Sequence, residues 1–379
     1  MSMTQAVLWM PHSALMMARV GGLAVIERQF FLLRRAGITK VWVGTNPPNA
    51  TLRIPEGLEV LWAGNSPIRP PYLAFSGDHF VRLPTLKRVL AEDSNVPVSW
   101  QDDAGKGVLQ LVPVDAGDPI HFEKKRLPDG EWVMLTHPPL PALSWLTHEA
   151  TKSTDGFMAK HFDRKISLAV TKRLLDTFVT PNMMTFISVA IGLAGAALLA
   201  FGQELPGALL IWLHSTLDGC DGELARLKFM ESPLGGILDF WGDNVVHAAL
   251  FVGLGLGLSR AQGMALPLVL GVVAALSATA SAGLAFAHSR RKAAARGGAG
   301  PFFSGVADVS GAATAEKRLA AVEDALAQRD FVYLLVALAA FGRLEWFLWA
   351  SAVGSPLFLV VLLWLQRPRT ATGQASPTI

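Results

Sequence analysis

The chain has 379 residues, 51% of them hydrophobic, with a formal net charge of +3 and one cysteine, Cys220. The small net charge gives no indication of a nucleic-acid partner, and a single cysteine excludes an intramolecular disulfide. Residues 1–150 have a mixed globular composition, whereas 182–366 contain several long apolar runs. This distribution predicts a soluble domain followed by an integral membrane domain.

The first 150 residues alternate strand-like and helix-like segments. Short strands are predicted at the apolar runs 6–10, 40–44, 58–62 and 72–75. Residues 24–36 place Ile26, Phe30 and Leu33 on one helix face, and Gly37 is a suitable residue to end that helix. This order predicts an α/β layer with a parallel sheet.

A membrane-associated region is predicted after residue 150. Within 151–181, basic and apolar side chains are spaced for an amphipathic helix over 157–178, which would lie on the membrane surface. Six apolar spans are then predicted at about 183–201, 206–225, 234–257, 264–286, 331–347 and 350–366. A polar insertion with a Gly/Pro-rich loop at 297–311 and a helix-like stretch at 314–329 separates the fourth span from the fifth. Residues 367–379 are predicted to form a disordered tail.

The basic residues predict the orientation of these spans. One set of loops holds most of the lysines and arginines, whereas the opposite set holds Arg260 and Arg343. The positive-inside rule places the basic set, and with it both termini, on the cytoplasmic side of the cell (inner) membrane. The apolar run at 6–10 is too short for a cleavable signal peptide, in agreement with this placement.

Acidic residues interrupt the second and third predicted spans. They are Asp218, Asp221, Glu223, Asp239 and Asp243, and Arg226 accompanies them. An ionised carboxylate at mid-bilayer costs roughly 3 kcal/mol, so these residues should face a polar cavity. Aspartates at i, i+3 and at i, i+4 share a helix face, so two antiparallel helix ends would bring four carboxylates together at the cytoplasmic interface. The alternative of a solvated loop fits the regular spacing less well.

This set of side chains predicts divalent-metal chemistry. Oxygen-only ligands suit Mg²⁺, Mn²⁺ or Ca²⁺ rather than zinc. Four carboxylates can hold two ions about 4 Å apart, an arrangement that clamps a phosphoryl group during in-line displacement. Gly222, Ala225 and Gly235 lack bulk, so a ligand or a backbone can approach closely, and Arg226 is placed to pair with a phosphate.

The spacing from Asp218 to Asp243 resembles the signature of the CDP-alcohol phosphotransferase family. That signature, D-x2-D-G-x2-A-R-x8-G-x3-D-x3-D, is matched at every fixed position, and the resemblance extends over about 150–366. It implies that four aspartates bind Mg²⁺ or Mn²⁺, in a two-metal site: Asp218, Asp221, Asp239 and Asp243. It also implies that Asp243 is the general base and that the CDP moiety is bound by Gly222, Ala225, Arg226, Ser232, Gly235, Pro181 and Asn182.

The same resemblance implies a function and an assembly. A homodimer with six spans would transfer the phospho-alcohol group of a CDP-alcohol, such as CDP-diacylglycerol, to the hydroxyl of an alcohol or phospho-alcohol acceptor and release CMP. This reaction belongs to phospholipid or polar-lipid biosynthesis. His214 and His247, each one helical turn from a motif aspartate, are predicted to be packing or interface residues, with a partner role for the metal ligands as the alternative.

The N-terminal domain resembles a second family. Residues 20–29 and 32–41 resemble the start of a Rossmann-like sugar-phosphate nucleotidyltransferase, and Phe75-Ser-Gly-Asp78-His resembles its metal-binding strand end. Such domains occur in bifunctional inositol-phosphate cytidylyltransferase/di-inositol-phosphate phosphate synthase proteins. Here the loop 10–19, which should cradle a triphosphate, contains no glycine. The domain is therefore predicted to be a degenerate, non-catalytic copy.

Two other functions compete with this prediction. One is a bifunctional enzyme whose N-terminal domain also makes the CDP-activated donor. The other is a non-enzymatic membrane ion-binding protein or transporter, which would have charges spread through the bilayer and internal repeats. The clustering of the carboxylates within one contiguous motif favours the enzyme.

Overall fold

The computed structural model describes residues 3–10, 13–65, 68–113, 120–136, 140–149, 162–295 and 331–365. The chain forms two compact units, one comprising 1–150 with 227–229 and the other 151–226 with 230–379. The predicted loop at 297–311, the helix at 314–329, the tail at 367–379 and the start of the predicted amphipathic helix lie outside the described residues.

The first unit is an α/β domain. Its strands are β1 (Gln5–Trp9), β2 (Arg19–Val20), β3 (Leu23–Ala24), β4 (Lys40–Val43), β5 (Glu59–Trp62), β6 (Tyr72–Ser76), β7 (His79–Val81), β8 (Val98–Gln101), β9 (Gly107–Val112), β10 (Glu123–Arg126) and β11 (Trp132–Met134). Its helices are α1 (Ser13–Met16), α2 (Val25–Arg35), α3 (Leu83–Leu90) and α4 (Leu140–Glu149).

The main sheet has seven strands in the order β10-β8-β9-β6-β1-β4-β5. The pairs β6-β1, β1-β4 and β4-β5 are parallel, as predicted. The parallel sheet predicted from the runs 6–10, 40–44, 58–62 and 72–75 is confirmed by these pairs; beyond them the sheet is mixed, because β9 pairs antiparallel with both β6 and β8. The β8-β9 pair follows from the tight turn between these strands, where Asp102 N donates to Lys106 O at 3.0 Å. A connection that short permits only an antiparallel pair.

Helix α2 packs its apolar face into the core of this unit, as the periodicity predicts. Ile26, Phe30 and Leu33 are all fully buried. Glu27 Oε2 accepts a hydrogen bond from Ala24 N at 2.9 Å and so caps the first turn. At the other end Gly37 has φ of 102°, the left-handed conformation that glycine adopts readily after a helix.

The second unit is helical. Its helices are α5 (Arg164–Leu174), α6 (Pro181–Ala200), α7 (Glu204–Lys228), α8 (Pro233–Gln262), α9 (Leu266–Ala295), α10 (Phe331–Ala340) and α11 (Leu344–Leu365). Two of the helices begin with the same device, a hydroxyl residue followed by proline. Thr180 Oγ1 accepts from Met183 N at 3.3 Å before α6, and Ser232 Oγ accepts from Gly235 N at 2.9 Å before α8.

Four described helices are long and apolar enough to cross a membrane, namely α6, α8, α9 over Leu266–Arg291, and α11. They define a membrane-embedded unit. Six spans were predicted, and two of the six are not both long and apolar enough to cross a membrane. Helix α7 has 25 residues but contains the motif charges, and α10 has only 10 residues.

The boundary between the last two predicted spans, 331–347 and 350–366, is wrong. The helix break lies earlier, between Ala340 and Leu344. Gly342 has φ of 61°, and Arg343 N donates to Leu338 O at 2.8 Å, which closes the end of α10. Because apolar residues continue on both sides of the break, hydropathy alone could not locate it.

Glycines bring the membrane helices into close backbone contact. A Cβ atom on Gly253 of α8 would lie 2.4 Å from Ala196 O of α6. A Cβ atom on Gly257 of α8 would lie 2.1 Å from Leu199 O of α6. On α9, a Cβ on Gly271 would lie 2.4 Å from Phe251 O of α8. Small residues at such crossings are the usual means of packing helices in lipid, and here they fix α6, α8 and α9 against one another.

Candidate metal centre and active site

Three carboxylates from two helices lie close together in the membrane-embedded unit. Asp218 and Asp221 are on α7 and Asp239 is on α8, and one oxygen from each lies within 4.8 Å of the other two. Asp218 and Asp221 are buried, at 1% and 5% exposure, whereas Asp239 is partly exposed. The structure thus brings together three of the four aspartates that the sequence singles out, and these three are called the carboxylate cluster.

The carboxylate cluster fits a hard divalent cation. All of its donors are oxygens, the ligands that Mg²⁺ and Mn²⁺ prefer. Three negative charges at this separation repel one another strongly unless positive charge offsets them. The geometry is therefore suited to a bound cation held by Asp218, Asp221 and Asp239.

Asp221 is held in place by hydrogen bonds to both of its oxygens. Thr185 on α6, itself 4% exposed, donates from Oγ1 to Asp221 Oδ2, and the backbone N of Gly222 donates to Asp221 Oδ1. A ligand whose orientation is fixed by neighbours in this way binds a metal more tightly than a mobile one. The second turn of α6 is therefore part of the site.

Asp243 lies one turn beyond Asp239 on α8 and faces two histidines. Its Oδ1 is 3.3 Å from Nε2 of His214 and 3.9 Å from Nε2 of His247. Nδ1 of His214 lies 2.9 Å from the backbone O of Ser188. A carbonyl can only accept, so Nδ1 carries a proton and Nε2 is the nitrogen directed at Asp243. His214 is almost fully buried, which fixes this orientation.

The residues predicted to bind CDP fall into two groups. Asn182 at the start of α6 and Ser232 at the start of α8 meet at Gly235, where an added Cβ would lie 3.1 Å from Asn182 Oδ1 and 3.0 Å from Ser232 Oγ. Arg226 is on α7, with Nη1 3.1 Å from the place of a Cβ on Gly222. Pro181 is buried as the first residue of α6, and Ala225 is partly buried on α7.

Two residues of this site had weak signals in the sequence. Thr185 stands one turn after Pro181 in an otherwise apolar helix, and nothing in its spacing connects it to Asp221. His214 was assigned mainly to packing, but the structure places it beside Asp243. His247 Nε2 lies 3.9 Å from Asp243 Oδ1, and its ring also contacts Phe331 with centroids 5.4 Å apart.

In the first unit, Asp78 belongs to a buried network of charges. Its Oδ1 accepts from Ser76 Oγ at 2.5 Å and lies 2.8 Å from His79 Nδ1, and its Oδ2 accepts from Lys106 Nζ. His79 Nε2 lies 3.3 Å from Asp102 Oδ2. Burial would raise the pKa of the Asp78 carboxyl, but the hydrogen bonds from His79, Lys106 and Ser76 outweigh it and hold that pKa well below its usual range.

The helical fold and the acidic site together define a membrane-embedded domain with a divalent-metal centre. Residues 178–353, which contain the carboxylate cluster, Asp243 and Arg226, match the family model described as CDP-alcohol phosphatidyltransferase. The C-terminal half of the chain therefore carries a region that matches the CDP-alcohol phosphatidyltransferase family.

Curated relatives match over about a quarter of this chain. A bifunctional IPC transferase and DIPP synthase of Thermococcus kodakarensis is 42% identical over 102 residues, which is 27% of this chain and 23% of the relative. Its namesake in Rubrobacter xylanophilus is 36% identical over 108 residues, 27% of this chain and 25% of the relative. A phosphatidylinositol phosphate synthase of Mycobacterium bovis is 28% identical over 99 residues, which is 26% of this chain and 46% of the relative.

Among solved structures, the Mycobacterium tuberculosis phosphatidylinositol phosphate synthase with CDP-DAG bound is similar to this chain, with a TM-score of 0.38 and 19% identity. The match covers 56% of this chain and 100% of that one.

Proposed function

We propose that this protein transfers the phospho-alcohol group of a CDP-alcohol, such as CDP-diacylglycerol, to the hydroxyl of an alcohol acceptor and releases CMP. The observation that carries this proposal is the carboxylate cluster. Two helices within the matched family domain contribute to it, and the spacing of its residues fits the family signature at every fixed position.

Each residue of the site has a role in this reaction. Asp218, Asp221 and Asp239 would hold Mg²⁺ or Mn²⁺, and Asp243 would serve as the fourth ligand of a two-ion site. Bound cations supply positive charge against the pyrophosphate and the departing CMP. Arg226 pairs with a phosphate and adds to that charge.

Asp243 acts as the general base. It takes the proton from the acceptor hydroxyl as that oxygen attacks the β-phosphorus, and the bond from this phosphorus to the CMP oxygen breaks. Asp243 Oδ1 lies 3.3 Å from His214 Nε2, and an imidazolium with a second proton on that nitrogen would donate to the carboxylate and fix its direction. His214 is a positioning residue, since Ser188 O holds its other nitrogen.

The CDP moiety binds where the first turns of α6 and α8 meet. Gly235 leaves space between Asn182 and Ser232, and the two helix N-termini add partial positive charge next to a diphosphate. The small residues Gly222 and Ala225 on α7, together with Pro181 on α6, leave room for the nucleotide beside Arg226.

The test is CMP release by the detergent-solubilised full-length protein. It is incubated with CDP-diacylglycerol, with Mg²⁺ or Mn²⁺, and with each of inositol phosphate, glycerol phosphate and inositol. The names of the curated relatives make inositol phosphate the first acceptor to try. We expect CMP release that requires both metal and one acceptor, and that persists in the control Glu345→Gln on α11. Absence of CMP with every acceptor would refute the proposal.

The proposed topology has six spans. α7, despite its charges, and the short α10 complete the set formed by the four apolar helices, and both termini lie in the cytoplasm at the cell membrane. Because Cys220 is buried, single cysteines can be labelled selectively in whole cells. A membrane-impermeant maleimide should label Arg260→Cys and not Lys172→Cys, and the reverse pattern would contradict the orientation.

Light scattering of the solubilised protein tests the homodimer that the family resemblance implies.

The N-terminal domain is proposed to be non-catalytic. Lys106 and His79 occupy the carboxylate of Asp78, which a nucleotidyltransferase would need for a metal ion. The full-length protein given CTP, Mg²⁺ and inositol phosphate should therefore release no pyrophosphate above the rate without enzyme. Pyrophosphate release would instead support the bifunctional alternative, in which this domain makes the CDP-activated donor.

A further inference from the structure

A fully buried carboxylate outside the carboxylate cluster lies on the opposite face of α7. Glu223 is 0% exposed and occupies a variable position of the family signature. At about 100° per residue, its side chain leaves the helix roughly 160° away from that of Asp221. Glu223 therefore points away from the proposed reaction, and its burial requires a different explanation.

Three hydrogen bonds reach Glu223 from one neighbouring helix, α5. Glu223 Oε1 accepts from Arg164 Nη1 and from Ser167 Oγ, both at 2.7 Å, and Oε2 accepts from Thr171 Oγ1, also at 2.7 Å. The three donors stand at i, i+3 and i+7, which is one face of α5. Ser167 and Thr171 are buried along with their acceptor.

Further polar contacts extend this junction along α7. Cys220 Sγ contacts Ser167 O at 3.5 Å, and Thr216 Oγ1 donates to Asp163 Oδ1 at 3.2 Å. Asp163 also accepts from Tyr333 OH of α10 at 2.5 Å. Residues 216, 220 and 223 of α7 thus form a continuous stripe against α5. A buried carboxylate is tolerated only with such complete pairing, and an apolar stripe would not fix the register of the two helices.

The charge of this junction is also connected to the site. The Arg164 guanidinium is close enough to Arg226 for the two positive charges to interact, and Glu223 attracts both. Removing the negative charge of Glu223 would take away part of the compensation of this repulsion, since Glu231 and Asp221 also attract Arg226. The stronger repulsion between Arg164 and Arg226 would act on the part of α7 that carries Asp218 and Asp221.

We propose that Glu223 is a positioning residue that locks α5 to the back of α7 and thereby sets the rotation of α7 that brings Asp218 and Asp221 to the metal. A carboxylate on a helix stands roughly 5 Å from the helix axis. A rotation of α7 by about 20° therefore displaces it by nearly 2 Å. Metal–ligand distances tolerate about 0.2 Å. This inference rests on the proposed function for its consequence in catalysis, but not for its effect on metal binding.

The test compares Glu223→Gln with Glu345→Gln, a matched change at a partly exposed position of α11. The amide side chain in Glu223→Gln has one acceptor oxygen in place of two, so it can no longer accept from all three donors. Mn²⁺ binding is measured directly by the electron paramagnetic resonance signal of free Mn²⁺, and CMP release is measured against Mn²⁺ concentration. For Glu223→Gln we expect the Mn²⁺ dissociation constant to rise about 10- to 100-fold, with the maximal rate at saturating Mn²⁺ largely retained.

Two further measurements separate positioning from general loss of structure. Trypsin should cut after Lys165, Lys172 and Arg173 faster in Glu223→Gln, because α5 is released from α7. Thr171→Val should weaken Mn²⁺ binding in the same direction, and its effect should not add to that of Glu223→Gln, since both break one junction. A lowered melting temperature with an unchanged Mn²⁺ dissociation constant would overturn the proposal.

The design also separates this proposal from the function it builds on. If the wild-type protein binds Mn²⁺ but releases no CMP, the proposed function fails, while the Mn²⁺ dissociation constants still decide the role of Glu223. If the wild-type protein binds no Mn²⁺, the positioning role is refuted with the metal centre.

Discussion

Replacing Asp239 by asparagine should stabilise the metal-free protein while removing its response to metal. The oxygens of Asp218, Asp221 and Asp239 lie within 4.8 Å of one another. With an effective dielectric constant of about 20, two unit charges at that distance repel by roughly 3.5 kcal/mol. Asp239→Asn removes two of the three repelling pairs.

The net gain in the free energy of unfolding will be smaller than the sum of the two repulsions that the substitution removes. Asp239 is partly exposed, so water screens its charge, and Arg226 already offsets part of the repulsion. A gain of about 1–2 kcal/mol in the free energy of unfolding is the reasonable expectation after this discount. For a unit of this size, each kcal/mol raises the melting temperature by about 2–4 °C.

The assay is thermal unfolding in detergent, followed by tryptophan fluorescence, with EDTA and with Mn²⁺. We expect Asp239→Asn to melt above the wild type in EDTA and the wild type to gain more from Mn²⁺. Glu345→Gln should behave as the wild type in both conditions. A variant that melts lower than the wild type in EDTA would show that these carboxylates are not under mutual repulsion, and would refute the assignment of a cation to the carboxylate cluster.

Three other changes test separate parts of the structure. Asp243→Asn should lower the rate of CMP release by about 10²- to 10⁴-fold while CDP binding, measured by calorimetry, changes little; full activity would remove its role as general base. Gly257→Ala should lower the melting temperature in detergent by an amount equal to about 1–3 kcal/mol, because the new Cβ would lie 2.1 Å from Leu199 O; an unchanged melting temperature would contradict the close helix contact. Asp78 has a lowered pKa, so its contribution to stability is present above about pH 4 and is lost as the pH falls below that value. Urea unfolding should therefore separate wild type and Asp78→Asn at pH 7, and the difference in the free energy of unfolding should begin to shrink only as the pH falls below about 4; a difference that stays constant at low pH would refute the linkage.

The carboxylate cluster could be predicted because it depends on local periodicity. Spacings of three and four residues fix which aspartates share a helix face, whatever the rest of the fold does. Asp218 and Asp221 illustrate this, since their shared face follows from the helix alone. The parallel strands β1, β4 and β5 were similarly visible as short apolar runs.

The parts that sequence reasoning missed depend on contacts between distant segments. Glu223 meets donors more than 50 residues away in the chain, and His214 meets Asp243 across two helices. Nothing in the periodicity of α5 or α7 specifies such partners. The antiparallel pairing of β9 and the helix break at Gly342 were missed for another reason, because each depends on the backbone conformation of a turn within an otherwise ordinary apolar pattern.

The length of α8 has a consequence for how a substrate could reach the site. Its 30 residues extend over about 45 Å, whereas the hydrocarbon layer of a bilayer is about 30 Å thick. Asp239 and Asp243 lie about two and three turns from its first residue, within the part of the helix that can rise into the headgroup layer. At that depth a two-part donor can keep its acyl chains among the lipids while its nucleotide enters from water. In the proposed reaction, the lipid product would then remain in the leaflet where it was made, and only CMP would diffuse away.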